Sequence, residues 1–126
     1  MPAIDNESIL TSIKKLLMID EMYEAYDADL IIHINTFLTR VHQLGIGQDK
    51  FFIRDKSSTW KDFLGEEDEI RYQQVKDYVF MRTRLIFDPP TNSSTTKALE
   101  ENMRELEWLL YVDRNNKDLL DSEEYT

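Results

Sequence analysis

Two pairs of glutamates with the spacing Glu-x-x-Glu are the residues of this sequence best suited to chemistry. They are Glu21 with Glu24 and Glu66 with Glu69. On a helix this spacing places two carboxylates on one face, and carboxylate oxygens are ligands that Mg²⁺ accepts. A magnesium-dependent nucleotide hydrolase is therefore one hypothesis.

The surroundings of the two pairs disfavour that hypothesis. One pair falls in a predicted link between helices, and the other falls at a predicted helix start, where the helix dipole already favours negative charge. The one Glu-x-x-Asp spacing, Glu24 with Asp27, reuses a glutamate of the first pair, so no separate partner completes a metal-binding set. We therefore predict no catalytic or metal-binding residue from these acids.

Other residue types give no alternative chemistry. The chain has no cysteine, which excludes disulfides, thiolate zinc sites and cysteine nucleophiles. His33 and His42 lie on one predicted helix, about half a turn of rotation apart, so they cannot share a metal. Gly45 and Gly47 form an isolated Gly-x-Gly without a dinucleotide fingerprint. The sequence predicts no enzyme and no cofactor.

Composition and charge restrict the partners. The formal net charge is −10, and nonspecific affinity for nucleic acid comes mainly from Lys and Arg, so general DNA or RNA binding is disfavoured. The apolar runs are far shorter than the roughly 20 residues that span a bilayer, so we expect no membrane contact. The acidic first residues do not resemble a signal peptide, and we expect a reducing cytoplasm.

The spacing of apolar residues predicts an all-α fold, a small bundle of four main helices plus a short one. The first covers about residues 6–18, behind Asp5 and Asn6 as possible caps, and the second begins at Asp27 and ends at Gly45. A long loop, residues 45–58, separates the second helix from the third, and a short helix with Trp60 follows it. A helical domain of residues 1–112 and an acidic, flexible tail of residues 113–126 are expected.

The segment Asp88-Pro89-Pro90 predicts a rigid corner. A proline excludes helical dihedrals from the residue before it, so the long helix that begins after Gly65 must end at Asp88. Thr91 to Ser94 then offer caps for the last helix. We expect this corner to fix the direction in which the last helix leaves.

Three loop residues are candidates for contact with another protein: Phe51, Phe52 and Arg54. Apolar residues in a long loop either pack beneath it or wait for a partner, and the sequence leaves both possibilities open. Trp60 and Trp108 are predicted to be core anchors, because aromatic side chains bury large areas.

The acidic tail is a second candidate docking segment. Two leucines could anchor it while the acids steer it toward a basic surface. A solvated chain end is the simpler interpretation. The residues concerned are Asp113, Leu119, Leu120, Glu123 and Glu124.

The order of several motifs resembles the head-tail connector (head-completion adaptor) proteins of long-tailed bacteriophages and prophages. The resemblance covers about residues 8–110, and one of its segments is Tyr78-Val79-Phe80-Met81-Arg82-x-Arg84-Leu85-Ile86-Phe87-Asp88-Pro89-Pro90-Thr91. Its most specific piece is the run of residues 84–91 in that segment, followed one helix later by residues 105–108. The other segments that carry it are Leu16-Leu17-Met18-Ile19, Tyr26-Asp27-x-x-Leu30-Ile31-Ile32-His33-Ile34-Asn35, Gln43-Leu44-Gly45-Ile46-Gly47, Thr59-Trp60-x-x-Phe63 and Glu105-Leu106-Glu107-Trp108.

The resemblance implies a structural virion protein without cofactor or enzymatic activity. Such a subunit forms a ring with copies of itself, docks on the portal protein and extends the DNA channel toward the tail, where a stopper or tail protein follows. DNA passes through without specific binding, and the expected locations are the head-tail junction and, during assembly, the host cytoplasm. The alternative hypothesis is a small acidic regulatory module that binds another protein.

Overall fold

The computed structural model describes the backbone of residues 7–123 and the side chains of residues 7–112. No β-strand forms within that part of the chain, where a lone bridge pairs Ser8 with Thr59. The predicted all-α fold of four main helices and a short one is confirmed. The helices are α1 (Ile9–Leu16), α2 (Asp27–Gln43), α3 (Trp60–Leu64), α4 (Glu69–Phe87) and α5 (Ser93–Glu123).

Short polar side chains begin four of the helices. The Oγ of Ser8 accepts a hydrogen bond from the first turn of α1, so this helix begins later than predicted and Asp5 and Asn6 lie outside the described residues. Thr59 and Asp62 form a reciprocal capping box at α3. Asp68 caps α4, and Asn92 Oδ1 accepts bonds of 2.7 and 3.2 Å from the first turn of α5. Each cap satisfies backbone N–H groups that have no partner within the helix.

Helix α4 packs against both α2 and α5. Its end meets the start of α2, since the rings of Phe87 and Tyr26 lie 5.1 Å apart. One turn earlier, the guanidinium of Arg82 lies 4.9 Å from the ring centre of Phe37. These contacts make α4 antiparallel to α2, and the corner after α4 returns α5 in the direction of α2.

The core lies where the five helices meet, and α5 contributes Met103 and Leu110 to it. The spacing of apolar residues along the second helix predicts one buried stripe, and the structure confirms it, because its five members are 0–3% exposed: Leu30, Ile34, Phe37, Leu38 and Val41. Trp60 is fully buried, as predicted, and its Nε1 donates to Ser12 Oγ at 2.8 Å. A backbone bond from Ile9 N to Ser58 O, 3.0 Å long, ties α3 to the start of α1.

Several large apolar side chains on the helices are exposed, including that of Trp108, which was predicted to be a core anchor. Ile70 is 73% exposed, Ile86 54% and Trp108 62%. Ile70 lies two residues from the buried Tyr72, a rotation of about 200° on a helix, and therefore on the opposite face. Trp108 has the same relation to Leu110, which is fully buried. Ile86 follows the apolar period, but it lies in the last turn of α4.

The end of the last helix lies beyond the expected domain boundary. The backbone of α5 stays helical through Glu123, so no break in secondary structure separates residues 1–112 from residues 113–123. Residues 113–123 are acidic in composition, but they include no glycine or proline that would end a helix. The division into a domain and a tail remains a prediction.

The long loop between α2 and α3 is held by a side chain of α2. Asn35 Nδ2 donates to the backbone carbonyl of Ile53 at 3.0 Å, and its Oδ1 accepts from the N–H of Ile53 at 2.7 Å. The amide thus makes the paired bonds that a neighbouring strand would make. Ile53 itself is 1% exposed, so the loop is anchored in the core at its centre.

Replacing Asn35 with alanine should release this loop. We expect a loss of about 1–2 kcal/mol in the free energy of unfolding, because both backbone groups of Ile53 lose their partner. Amide hydrogen exchange at Ile53 should become faster, while exchange in α4 stays unchanged at matched stability. Thr39→Ala is the control, since the Thr39 hydroxyl bonds only within α2. Unchanged exchange at Ile53 would show that the clamp is not needed.

Candidate interaction surfaces

The two loop phenylalanines have different surroundings. Phe51 is half-buried and its ring lies 5.1 Å from that of Phe63, whereas Phe52 is 53% exposed. The guanidinium of Arg54 lies 5.2 Å from the ring centre of Phe52. Phe51 therefore helps to pack the loop, and Phe52 and Arg54 together form an outward-facing cation-aromatic pair.

The predicted corner joins α4 to α5 over a few residues. Asp88 has φ −145° and ψ 67°, outside the helical region, and α4 ends before it as the sequence predicts. Pro89 is exposed and Pro90 is half-buried. The hydroxyl of Thr96 donates to the Pro90 carbonyl at 3.3 Å, which joins the corner to the first turn of α5.

The candidate tail residues are placed only by their backbone. Asp113, Leu119, Leu120 and Glu123 lie on the helical C-terminal part of α5, and their side chains are outside the description. Glu124 lies outside the described residues altogether. Their role in docking therefore stays a prediction.

One exposed apolar surface lies on the link between α1 and α2. We call it the linker patch, and it consists of Met18, Met22, Tyr23 and Tyr26. Their exposed fractions are 91%, 78%, 51% and 42%. With Ile19 and Asp20 they line an open depression of about 500 Å³. Tyr26 also packs edge-on against Tyr23, at 5.4 Å between ring centres, so the aromatic part of the patch is ordered.

A buried lysine fixes the shape of this link. Lys14, on α1, is 2% exposed, and its ammonium contacts the Glu21 carbonyl at 3.0 Å and the Tyr23 carbonyl at 2.7 Å. It also forms an ion pair of 2.8 Å with Asp27 Oδ1 at the start of α2. A single cation therefore donates to two carbonyls, pairs with one carboxylate and holds the linker patch against the body of the protein.

A second exposed surface lies between the end of α2 and the middle of α5. We call it the helix groove, and it has a volume of about 450 Å³. Trp108 is 62% exposed and Tyr111 50%. The residues that line the groove are Arg40, Gln43, Leu44, Arg104, Glu107, Trp108 and Tyr111.

A polar network beside this groove joins three helices. Arg40 Nη2 lies 2.5 Å from Glu107 Oε1, and the hydroxyl of Tyr78 donates to Glu107 Oε2 at 2.7 Å. Burial favours the neutral acid, but hydrogen bonds from Arg40 and Tyr78 outweigh it and lower the pKa of Glu107. Burial and the bond to Glu107 raise the pKa of Tyr78 to about 12. The tyrosine is therefore a stable donor, and the network fixes α2, α4 and α5 together.

The described residues offer little for other chemistry. Within them, no group of three or more His, Cys, Asp or Glu side chains is placed to hold a metal. The described helices also include none that is long and apolar enough to cross a bilayer. His42 contacts the Gly47 carbonyl through Nδ1 at 3.0 Å, which gives it a structural role at the start of the loop.

Comparison with protein families gives one match, to the model described as phage connector protein, over residues 9–117. This segment begins at the first residue of α1 and reaches well into α5. The chain belongs to the phage connector protein family. Neither the curated proteins nor the solved structures contain a significant match. The expected family is thereby confirmed, and a connector is a structural component of the phage particle.

The matched segment includes most of the candidate interaction surfaces described above. The linker patch, the loop with Phe52 and Arg54, the corner and the helix groove all fall inside residues 9–117. Four of the candidate docking residues fall outside it: Leu119, Leu120, Glu123 and Glu124. The match extends past Leu110, where the resemblance read from motifs ended.

Acid should weaken the connector through Glu107. Its folded pKa lies below its ordinary value of 4.5, so its stabilising effect is present above about pH 4.5 and is lost as the pH falls through the lowered value. We expect Glu107→Gln to cost about 1.5–3 kcal/mol of unfolding free energy at pH 7. The difference from wild type should shrink steadily below pH 4.5.

Urea titrations of both proteins between pH 3 and pH 7 would measure this difference. The neighbouring exposed acid supplies the control, since Glu105→Gln keeps the same change of charge without the network. A difference that stays constant down to pH 3 would contradict the assigned role of the Glu107 carboxylate.

Sequence reasoning missed two of the connector surfaces. The sequence predicts only a link between helices where the linker patch lies, and it predicts Trp108 to be a core anchor. The signal for Trp108 was present, since its position is opposite the apolar stripe of α5. No sequence signal identified Lys14, because a lysine on a short helix looks like an ordinary surface cation.

Proposed function

We propose that this connector is a ring-forming subunit of the head-tail junction, which docks on the portal and extends the DNA channel toward the tail. The observation that carries the proposal is the family match over residues 9–117, which includes all or part of every helix. In this proposal the connector acts by binding other proteins, without catalysis or a cofactor. A stopper or tail protein would bind the face away from the portal.

The charge of the chain supports a channel role. A net charge of −10 gives a surface that repels phosphate groups, which lets DNA pass without being retained. Binding strong enough to hold DNA would slow its passage. The proposed position is the virion junction, after assembly in the host cytoplasm.

The exposed surfaces support a protein with several partners. Monomeric soluble proteins rarely expose large contiguous apolar areas, and such areas mark interaction sites. The linker patch and the helix groove each expose at least two large apolar side chains. A closed ring needs two different surfaces on each subunit, and these are available.

Contact with the portal is assigned to the long loop. The core anchor at Ile53 and the Asn35 clamp hold the loop in place, so its exposed pair, Phe52 and Arg54, is presented without a large ordering cost. The acidic C-terminal residues, with Leu119 and Leu120, form the second proposed docking segment, which would order against a basic partner surface.

Electron microscopy of the purified chain mixed with the portal protein of the same phage tests the proposal. We expect ring-shaped density on the portal in class averages, even if the chain alone is monomeric. Combined Phe52→Ala and Arg54→Ala substitutions should reduce portal association about tenfold, and Ile32→Ala, which removes a side chain 62% exposed on α2, is the control. Neither a ring nor portal association under any condition would overturn the proposed function.

A further inference from the structure

We infer that neighbouring copies of this connector join head to tail, with the linker patch of one copy seated in the helix groove of the next. The inference rests on the proposed ring and adds which surfaces make it. The occupant of each surface is thus a second copy of this chain. Three features of the described residues carry it: position, residue type and charge.

The two surfaces lie at opposite ends of α2. Tyr26, in the linker patch, precedes the first residue of α2, and Arg40, beside the groove, lies in its last turn. The separation of 14 residues, from 26 to 40, corresponds to about 21 Å along a helix. One copy therefore cannot fill its own groove with its own patch, but a neighbour can.

The residue types of the two surfaces are suited to each other. The groove offers Trp108, Tyr111 and Arg104, and Trp, Tyr and Arg are the types most enriched among residues that dominate binding energy. The linker patch offers Met18 and Met22, whose unbranched side chains adapt to irregular aromatic surfaces and make favourable sulfur-aromatic contacts.

The charges at the edges of the two surfaces have opposite sign. The link between α1 and α2 carries the exposed acids Asp20 and Glu24, with Glu21 already paired to Lys15, while the groove carries the exposed Arg104. Glu107, the acid within the groove, is already bonded to Arg40 and Tyr78. The groove therefore presents a cation where the patch presents acids, which fixes the orientation of the contact.

Such a contact pairs two different surfaces, so it repeats from copy to copy. Repetition closes into a ring when the rotation per subunit divides a full turn, and otherwise produces a filament. A pair of identical surfaces would stop at a dimer. The inferred contact is thus of the kind that the proposed ring requires.

Cysteine cross-linking tests the contact directly, because the chain has no cysteine of its own. Met22→Cys and Trp108→Cys are combined in one chain, and the protein is assembled on portal and mildly oxidised. A disulfide requires Cα atoms within about 7 Å, so a bond across the length of α2 within one copy is excluded. We expect a ladder of multimers on a non-reducing gel, and no ladder beyond a dimer from either single variant.

A charge exchange supplies the second test. Asp20→Arg or Arg104→Glu alone should reduce the yield of rings on portal about tenfold, because each places like charges together. The two changes combined should restore the yield to within about threefold of wild type. Asp20 and Arg104 are both exposed, and circular dichroism of each variant is the check that it folds. Ile32→Ala, on the side of α2, should leave the yield unchanged.

The outcomes separate this inference from the proposed function. Rings from wild-type protein without a cysteine ladder, or with no rescue in the charge exchange, would overturn the inferred contact and leave the ring itself intact. Absence of rings from wild-type protein would overturn both.

Discussion

Replacing Trp60 with alanine is expected to lower the free energy of unfolding by about 3–5 kcal/mol, the largest effect of any single change considered. Trp60 is fully buried on α3, and its Nε1–H donates to Ser12 Oγ at 2.8 Å. The substitution leaves a cavity beside α1 and removes the hydrogen bond from the indole to that helix. Urea denaturation at pH 7, followed by circular dichroism, measures the loss.

The second tryptophan is a matched control. Trp108 is 62% exposed, so Trp108→Ala should change stability by no more than about 0.5–1 kcal/mol. The two variants delete the same side chain and differ only in its surroundings. Equal losses would show that Trp60 does not anchor α3 in the way the structure indicates.

Lys14→Met is expected to cost about 3 kcal/mol. Methionine keeps the apolar stem packed, but removal of the ammonium leaves Asp27 and two carbonyls of the link without their partner. The loss should be accompanied by faster hydrogen exchange in residues 20–26, because the link is no longer held against α1. Denaturation and exchange measurements on the same sample report both effects.

The adjacent lysine is the control for this change. Lys15 is 59% exposed and its ammonium lies 3.7 Å from Glu21 in an exposed pair, so Lys15→Met should cost less than about 1 kcal/mol. Both variants remove one positive charge from an acidic protein, so a general effect of charge would appear in both. A loss at Lys14 no greater than that at Lys15 would contradict its role as an anchor.

The element pattern was largely predictable from local chemistry. Thr59 and Gly65 enclose α3, and the prolines after Asp88 end α4, because capping and proline geometry act over a few residues. The stripe of α2 was predictable for the same reason, since helical period selects its buried face. The family was identified correctly from the order of several motifs, which are spread over different helices and loops.

The surfaces were less predictable, because exposure depends on which helix lies opposite. Phe51 and Phe52 are identical in type and adjacent, yet Phe63 covers only the first. Ile86 follows the apolar period of α4 and is nevertheless exposed in its last turn. The burial of Lys14 depends on carbonyls seven and nine residues away, which a pattern of residue types does not encode.

The Asn35 clamp has a consequence for how the sequence of this protein can change. The side-chain amide of Asn35 bonds to backbone atoms of Ile53, and the side chain of Ile53 faces the core. The neighbouring positions 52 and 54 are exposed and contribute no atom to that clamp. Substitutions at these two positions can therefore change the exposed chemistry of the loop while its backbone stays in place. If the loop makes the proposed portal contact, partner choice and folding are separable there, and the contact can change without loss of stability.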